Sequence, residues 1–365
     1  MKILAVKLRS LGDTVLFTAS LAELVRCFPQ AEIHVLVRSQ WAGVLEGHPG
    51  IHKVWTWDPP SGLVAKLRDF SQWAIRLRRE KFDIAIHFHA SSSSAWLTRM
   101  TGAKVRSIHF HGYQQPNRFS TVEIPGKGVT KPIIERDLDA LRALGLVVSS
   151  EKGPRVFLES IEIQEALSFL AKKGLKSPVL AISLGASRPT KCWPLEKFAV
   201  LALNWALKTQ GSVLAFVGPK EGKILEEFQS QVSHFLITRL PDPKQRLEVQ
   251  GRLVSSQDFP IRKLAAILSQ VSVLLGNDSG PKHLTVAVGT PTVTLFGPEH
   301  PFEWHPYSKD QHSYFFIESL ECRQSADAGA PPWCGLQECV IENHQCMKKI
   351  EEDSVLKECE RLARV

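Results

Sequence analysis

Short apolar runs alternate with amphipathic stretches along the first 144 residues. Runs at 2–8, 32–37, 53–57, 83–88 and 105–109 read as strands, and the stretches at 14–27, 63–79, 92–101 and 132–144 read as helices. Strands that alternate with helices imply a parallel sheet with crossover helices. A segment carrying Gly, Ser and Pro follows at 145–157 and reads as a linker. The pattern then restarts. Strands are expected at 179–184, 212–217, 271–275 and 292–295, with helices at 195–208, 220–231, 261–268 and 282–288. A last helix is expected at 353–363. The fold class is therefore α/β, with two doubly wound, Rossmann-like domains facing across a cleft. Their expected extents are residues 1–155 and 175–350. In such folds ligands sit at the carboxyl ends of the strands.

Three strand-to-helix turns carry candidate chemistry. The first, SLGDTVLFTAS at 10–20, follows the first strand. Gly12 permits the turn, and Asp13 has two readings. It can cap the helix through backbone N–H groups, or it can act as a general base taking a proton from an acceptor hydroxyl. The second, SLGASRPTKCWP at 183–194, offers Gly185, Ser187 and Thr190 for close approach to phosphate and Lys191 as a point charge. An ordinary loop with a solvated lysine is the alternative. The third, LLGNDSGPKHLTVAVGTPTVTLFGP at 274–298, turns at Gly276-Asn277-Asp278-Ser279-Gly280 into a helix opened by Pro281, with His283 in its first turn. Bare N–H groups at such a helix start form an anion site. A plain cap with a buried histidine is the alternative. A GxxxxGK[ST] loop, a GxGxxG turn after the first strand, HExxH and GxSxG are all absent, which argues against P-loop, dinucleotide, zincin and hydrolase chemistry.

The chain has 365 residues and a formal charge of +8. Residues 1–155 hold 22 Lys and Arg against 13 Asp and Glu, a net of +9, so the whole basic excess lies in the first half. That asymmetry suggests an anionic partner there. No apolar run approaches the roughly 20 residues of a membrane span, and Lys7 and Arg9 interrupt the N-terminal apolar stretch before a signal-peptide core can form. A cytoplasmic protein is expected. Cys322, Cys334, Cys339 and Cys346 cluster late in the chain. Their spacing lacks the paired C-x2-C knuckles of a zinc site that would also use His344, and a reduced structural cluster is the preferred reading.

Taken together, LGDTVLFTA, GASRPTKCWP and GNDSGPKHLTVAVGTPTVTLFGP resemble glycosyltransferase family 9, the ADP-heptose–lipopolysaccharide heptosyltransferases. The likeness extends to FDIAIHF, to TGAKVRSIHF, and to a C-x4-C-x6-C-M pattern common among the second heptosyltransferases. It implies a GT-B fold and inverting transfer of a heptose from ADP-heptose to the inner core of lipopolysaccharide, with no cofactor and no obligatory metal. By the same resemblance Asp13 is the base. Lys191 contacts the donor diphosphate beside Ser187 and Thr190, Asp278 lies near the donor sugar, and Ser279, Gly280 and His283 form the diphosphate-binding helix start. The final helix packs back towards the first domain. An anionic glycolipid acceptor and peripheral inner-membrane contact follow, with no role for nucleic acid. Arg76, Arg78, Arg79, Arg99, Lys104 and Arg106 are the candidate acceptor contacts. Two departures stand out: Thr18-Ala19 where the family often has Thr-Pro, and HFHASSSS at 87–94 where it often has Asp-Leu-Gln. The alternatives are a hexosyltransferase or an epimerase on the same fold, or a non-enzymatic polyanion-binding module.

Overall fold

The structure, a computed structural model, describes residues 1–110, 117–124, 130–323 and 333–364. The chain divides into two compact units, Met1–Phe157 and Leu158–Val365.

In the first unit, β1 (Lys2–Lys7), α1 (Leu11–Cys27), β2 (Glu32–Val37), β3 (Lys53–Thr56), α2 (Leu63–Arg79), β4 (Ile84–Ala90), α3 (Ser92–Met100), β5 (Val105–Phe110) and α4 (Ile133–Arg142) follow one another. The sheet is all parallel, in the order β3-β2-β1-β4-β5. Central strands covered on both faces must be apolar throughout, and β1 is buried from Ile3 to Lys7. The chain leaves β1 in one direction along the sheet and returns to its other side at β4, so the gap between β1 and β4 is the topological switch point.

The second unit contains α5 (Ser160–Lys172), β6 (Val179–Ser183), α6 (Leu195–Thr209), β7 (Ser212–Val217), α7 (Gly222–Arg239), α8 (Pro243–Gln250), β8 (Leu253–Gln257), α9 (Ile261–Leu268), β9 (Val273–Asn277), α10 (Gly280–Ala287), β10 (Thr292–Phe296), α11 (Pro301–Trp304), β11 (His312–Phe316), α12 (Gln345–Lys348) and α13 (Glu352–Ala363). Its six parallel strands run β11-β10-β9-β6-β7-β8, with the switch point between β6 and β9. Trp193, Phe198 and Trp205 are fully buried beneath it, the first two edge to face at 4.8 Å.

Besides the four-residue helices α11 and α12, four elements of this unit go beyond the sequence expectation. β8 and β11 are its two edge strands, where only one side is paired and the apolar signal is diluted. α5 occupies the stretch left between the expected domains. Glu159 and Glu162 close its N-terminus as a capping box, and Glu162 pairs with Arg262 on α9. α8 is short and polar, started by Asp242 and Pro243. The last helix belongs to the second unit. Val355, Leu356, Cys359 and Leu362 form an apolar stripe on α13 that joins the core of the second unit, against α6, β9 and β10.

Candidate active site

Asp13 lies three residues into α1, just past the carboxyl end of β1. The cap is Ser10. Its Oγ accepts from the Asp13 N–H at 3.3 Å and donates to Asp13 Oδ2 at 2.6 Å. The capping role expected of Asp13 therefore belongs to its neighbour. Asp13 Oδ1 is buried and has no hydrogen-bond partner. His89 Nδ1 stands 3.8 Å away, too far for a hydrogen bond. Burial opposes the charge on Asp13, but His89, the Lys7 ammonium and the Ser10 hydroxyl together hold its carboxyl well below the usual range. Burial also pushes the His89 imidazole down to about 4, so the ring is neutral at physiological pH.

Around this carboxylate lies a polar cluster that the sequence reading missed. Lys7 Nζ donates to Asp137 Oδ2 at 2.7 Å, with both side chains almost fully buried. Burial pushes the Asp137 carboxyl up, against the pull of Lys7. His87 and His89 come from β4, and His109, held down to about 3 chiefly by burial, comes from β5. The β4–β5 register shifts between His87 and Ala90, an irregularity of the kind that re-aims side chains beside functional sites. Two signals pointed here: a lysine ending an apolar strand, which needs an acid, and histidines alternating in IAIHFHA.

The second unit gathers the other two turns at its own switch point. Lys191 Nζ lies 2.9 Å from Asp278 Oδ2 and 3.5 Å from Glu299 Oε1. Lys282, buried in the first turn of α10, holds Asp278 Oδ1 at 2.6 Å and the Trp304 carbonyl at 3.0 Å. Burial opposes ionisation of Asp278, yet Lys282 and Lys191 on either side keep its carboxyl below the usual range. Arg188 pairs with Glu299. Asn277 braces the arrangement, accepting from the Trp193 N–H at 2.9 Å and donating to the Leu184 carbonyl at 2.8 Å. Ser279 is the N-cap of α10, Gly280 opens the helix, and the buried Ser279 Oγ has no partner. Gly185 approaches so closely that a Cβ there would meet the Glu221 carboxylate at 2.1 Å.

Not every expected contact is free. Ser187 is exposed on the loop. The Thr190 hydroxyl donates to the Leu336 and Gln337 carbonyls at 3.4 Å, and His283 Nδ1 is bonded to the Tyr307 hydroxyl at 2.5 Å. The cysteine segment acts as a brace for the Lys191 loop. His344 Nε2 bonds the Thr190 carbonyl at 2.7 Å, and Arg188 donates to the Gly335 carbonyl at 3.3 Å. Cys322, Cys334, Cys339 and Cys346 are free thiols lining one cavity with His344, and burial pushes Cys346 up to about 11. Among the described residues no group of three or more His, Cys, Asp or Glu stands in metal-holding geometry.

The six candidate acceptor cations are not brought to Asp13. Arg76, Arg78 and Arg79 end α2 where it turns into the amino end of β4, and Lys104 and Arg106 lie at the amino end of β5. Asp13 lies at the opposite, carboxyl edge. Several of them already serve local structure. Arg76 stacks 4.7 Å from the Trp55 ring centroid, Arg99 donates to the Arg118 carbonyl at 3.0 Å, and Arg106 donates to the Ala103 and Phe119 carbonyls at 2.6 and 3.0 Å.

The sequence model of "Glycosyltransferase family 9 (heptosyltransferase)" matches residues 71–331, well over half of the chain. A lipopolysaccharide heptosyltransferase 3 of Escherichia coli is 25% identical over 309 residues, covering 83% of this chain and 86% of that protein. Among solved structures, a family 9 glycosyl transferase from Veillonella parvula superposes with a TM-score of 0.80 at 23% identity, covering 100% of this chain and 97% of that one. The ADP-heptose lipopolysaccharide heptosyltransferase II of Escherichia coli gives 0.76 at 19% identity, covering 100% and 99%. The two structural likenesses are of fold.

Proposed function

The chain belongs to glycosyltransferase family 9 and is a glycosyltransferase, and from that premise we propose that it moves a heptose from ADP-heptose onto the inner core of lipopolysaccharide, with inversion at the anomeric carbon. The acceptor is a lipid A–Kdo–heptose. The observation that carries the reading is the content of the two switch points. One holds a carboxylate, Asp13, whose buried Oδ1 accepts no hydrogen bond and faces the His89 ring at 3.8 Å. The other holds Lys191, Lys282 and the start of α10, which suit an anion.

The chemistry follows from the charges. As the anomeric C–O bond to the diphosphate breaks, positive charge grows on the sugar and negative charge on the departing ADP. Lys191 and the N–H groups after Ser279 stabilise the leaving anion. The acceptor hydroxyl forms the new bond from the opposite face of the sugar, and Asp13 takes its proton. A carboxylate held well below its usual range is a weak base. It suffices late in the reaction, because the attacking oxygen becomes strongly acidic once it bonds to the anomeric carbon. Asp278, held between Lys191 and Lys282, sets where those cations stand before the donor arrives.

The acceptor is an anionic glycolipid, so the protein works at the cytoplasmic face of the inner membrane as a peripheral enzyme. No helix among the described residues is long and apolar enough to cross a membrane. The deciding experiment incubates the protein with ADP-heptose, with and without a heptose-acceptor lipopolysaccharide, and reads ADP release and acceptor mass. Heptose addition that depends on acceptor is the expected result. Donor turnover without acceptor would point to an epimerase or hydrolase. Silence with both would end the assignment.

A further inference from the structure

The first turns of α2 are exposed on every residue. Leu63, Val64 and Leu67 are 74%, 80% and 60% exposed, and every residue from 63 to 68 is exposed. The cause is where the helix starts. Trp57, just past β3, donates its indole N–H to Asp69 at 2.7 Å, which sets residue 69 level with the carboxyl edge of the sheet. At about 1.5 Å per residue, the preceding residues carry the helix roughly 9 Å beyond that edge. A helix end standing in water is ordinarily polar. This one is aliphatic.

The apolar exposure continues along one face. Val64, Leu67, Ser71, Ile75 and Arg78 recur at three- and four-residue steps, and Ile75 is 54% exposed. Arg78, at the end of that stripe, lies against Gly102 just past α3, where Trp96 and Met100 are 42% and 41% exposed four residues apart. The charge on α2 is strongly positive. Lys66, Arg68, Arg76, Arg78 and Arg79 face a single acid, Asp69, already engaged by Trp57.

We infer that the projecting end of α2, with Leu63, Val64 and Leu67 flanked by Lys66 and Arg68, is a wedge that seats the first unit in an anionic bilayer. This rests on the reading that the acceptor is a membrane glycolipid. Aliphatic tips beside basic side chains match the acyl boundary and the anionic headgroups above it. A second copy of the chain is the poorer occupant, since a two-fold contact would set this basic helix against itself. The wedge leaves the sheet at its carboxyl edge, the same edge as Asp13, so a glycolipid headgroup would be presented at the end of the unit that holds the base.

The test is flotation of the full chain with phosphatidylglycerol–phosphatidylethanolamine vesicles. Wild type should float and should retain part of its binding at about 0.5 M salt, where exposed charges are screened. The triple variant Leu63→Ser/Val64→Ser/Leu67→Ser should lose at least about tenfold in partition and the salt-resistant part entirely. Its melting temperature and ADP affinity should stay unchanged. Ile237→Ser, at an exposed position on α7 of the other unit, should float as wild type does. A triple variant that floats like wild type overturns the wedge. So does one whose only change is loss of self-association by sedimentation velocity in the absence of vesicles. If wild type fails to float yet transfers heptose to detergent-dispersed acceptor, the wedge falls and the proposed reaction stands. Failure of both removes the reaction as well.

Discussion

The two units share one architecture and differ in how their switch points handle buried charge. In the first, one cation meets one acid: Lys7 and Asp137 are 2.7 Å apart and sealed from solvent. Asp13 nearby keeps one oxygen bare, faced by a neutral imidazole. In the second, one acid is shared. Asp278 holds Lys282 on one oxygen and Lys191 on the other, while Glu299 reaches both Lys191 and Arg188. The first arrangement leaves an acceptor for a proton. The second leaves cations held by shared acids, which the proposed reading assigns to the donor diphosphate. In the proposed reading, the same strand–turn–helix frame supplies a base in one unit and an anion site in the other through the ratio of cations to acids.

That ratio can be broken. Lys7→Met strands Asp137 in the interior, and loss of one partner of a buried pair costs about 3–5 kcal/mol. Burial already pushes the Asp137 carboxyl up, so in the variant it takes a proton more readily as pH falls. Protonation favours the folded state of an acid whose folded pKa is raised, so the deficit should be large at pH 7.5 and shrink towards pH 5.5. Urea unfolding at the two pH values reads both effects. A deficit independent of pH would mean that Asp137 is not the group left unpaired.

Lys191→Ala removes a cation from the proposed diphosphate site. A charge-assisted contact is worth about 1.5–3 kcal/mol, so ADP should bind on the order of 10- to 150-fold more weakly by titration calorimetry. Folding stability should change little, because Asp278 keeps Lys282. Unchanged ADP affinity would return Lys191 to the role of a structural partner of Asp278.

Lys282→Met sharpens the contrast between the units. Asp278 retains Lys191, so the loss should be about 1–3 kcal/mol, smaller than for Lys7→Met. Equal losses in the two variants would show that sharing the acid does not matter.

The smallest effect is expected at His89. Its ring is neutral above about pH 4. As pH falls through that value, it gains charge beside Asp13 Oδ1 and blocks the bare oxygen, so transfer should fail on the acid side. His89→Gln should change the rate at neutral pH by no more than about threefold and move the acid limb lower, since glutamine does not titrate there. An acid limb that stays in place would assign it to another group.

Much of this was legible in the sequence, and the misses have physical causes. The central strands showed because burial on both faces makes them continuously apolar, as in β6 and β9. β8, with two apolar residues in Leu253–Gln257, gave no such signal. Both turns carry a sequence signal, but the meeting of Lys191 with Asp278 rests on β6 and β9 lying side by side in the sheet. The share of Lys282 carries no such signal, because a lysine in the first turn of a helix reads as solvated until its burial is seen. Ser10 gives no stronger capping signal than Asp13, an equally good capping residue three positions on. The basic first half does not reveal which edge of the sheet its arginines occupy, because a crossover helix runs antiparallel to its strands. Arg76, Arg78 and Arg79 therefore end at the edge of the sheet away from Asp13, while the unremarked start of the same helix reaches the near edge.

The central claim is that Asp13 accepts the proton. Since Ser10 caps α1, replacing Asp13 by Asn removes the acceptor while leaving the helix start intact. Single-turnover heptose transfer by Asp13→Asn, with ADP affinity and melting temperature measured in parallel, is the direct test. General-base catalysis contributes typically about 10²–10⁴-fold, so transfer should fall by that order while donor affinity barely moves. Transfer at a near wild-type rate would contradict the account and leave the bare oxygen of Asp13 without a role.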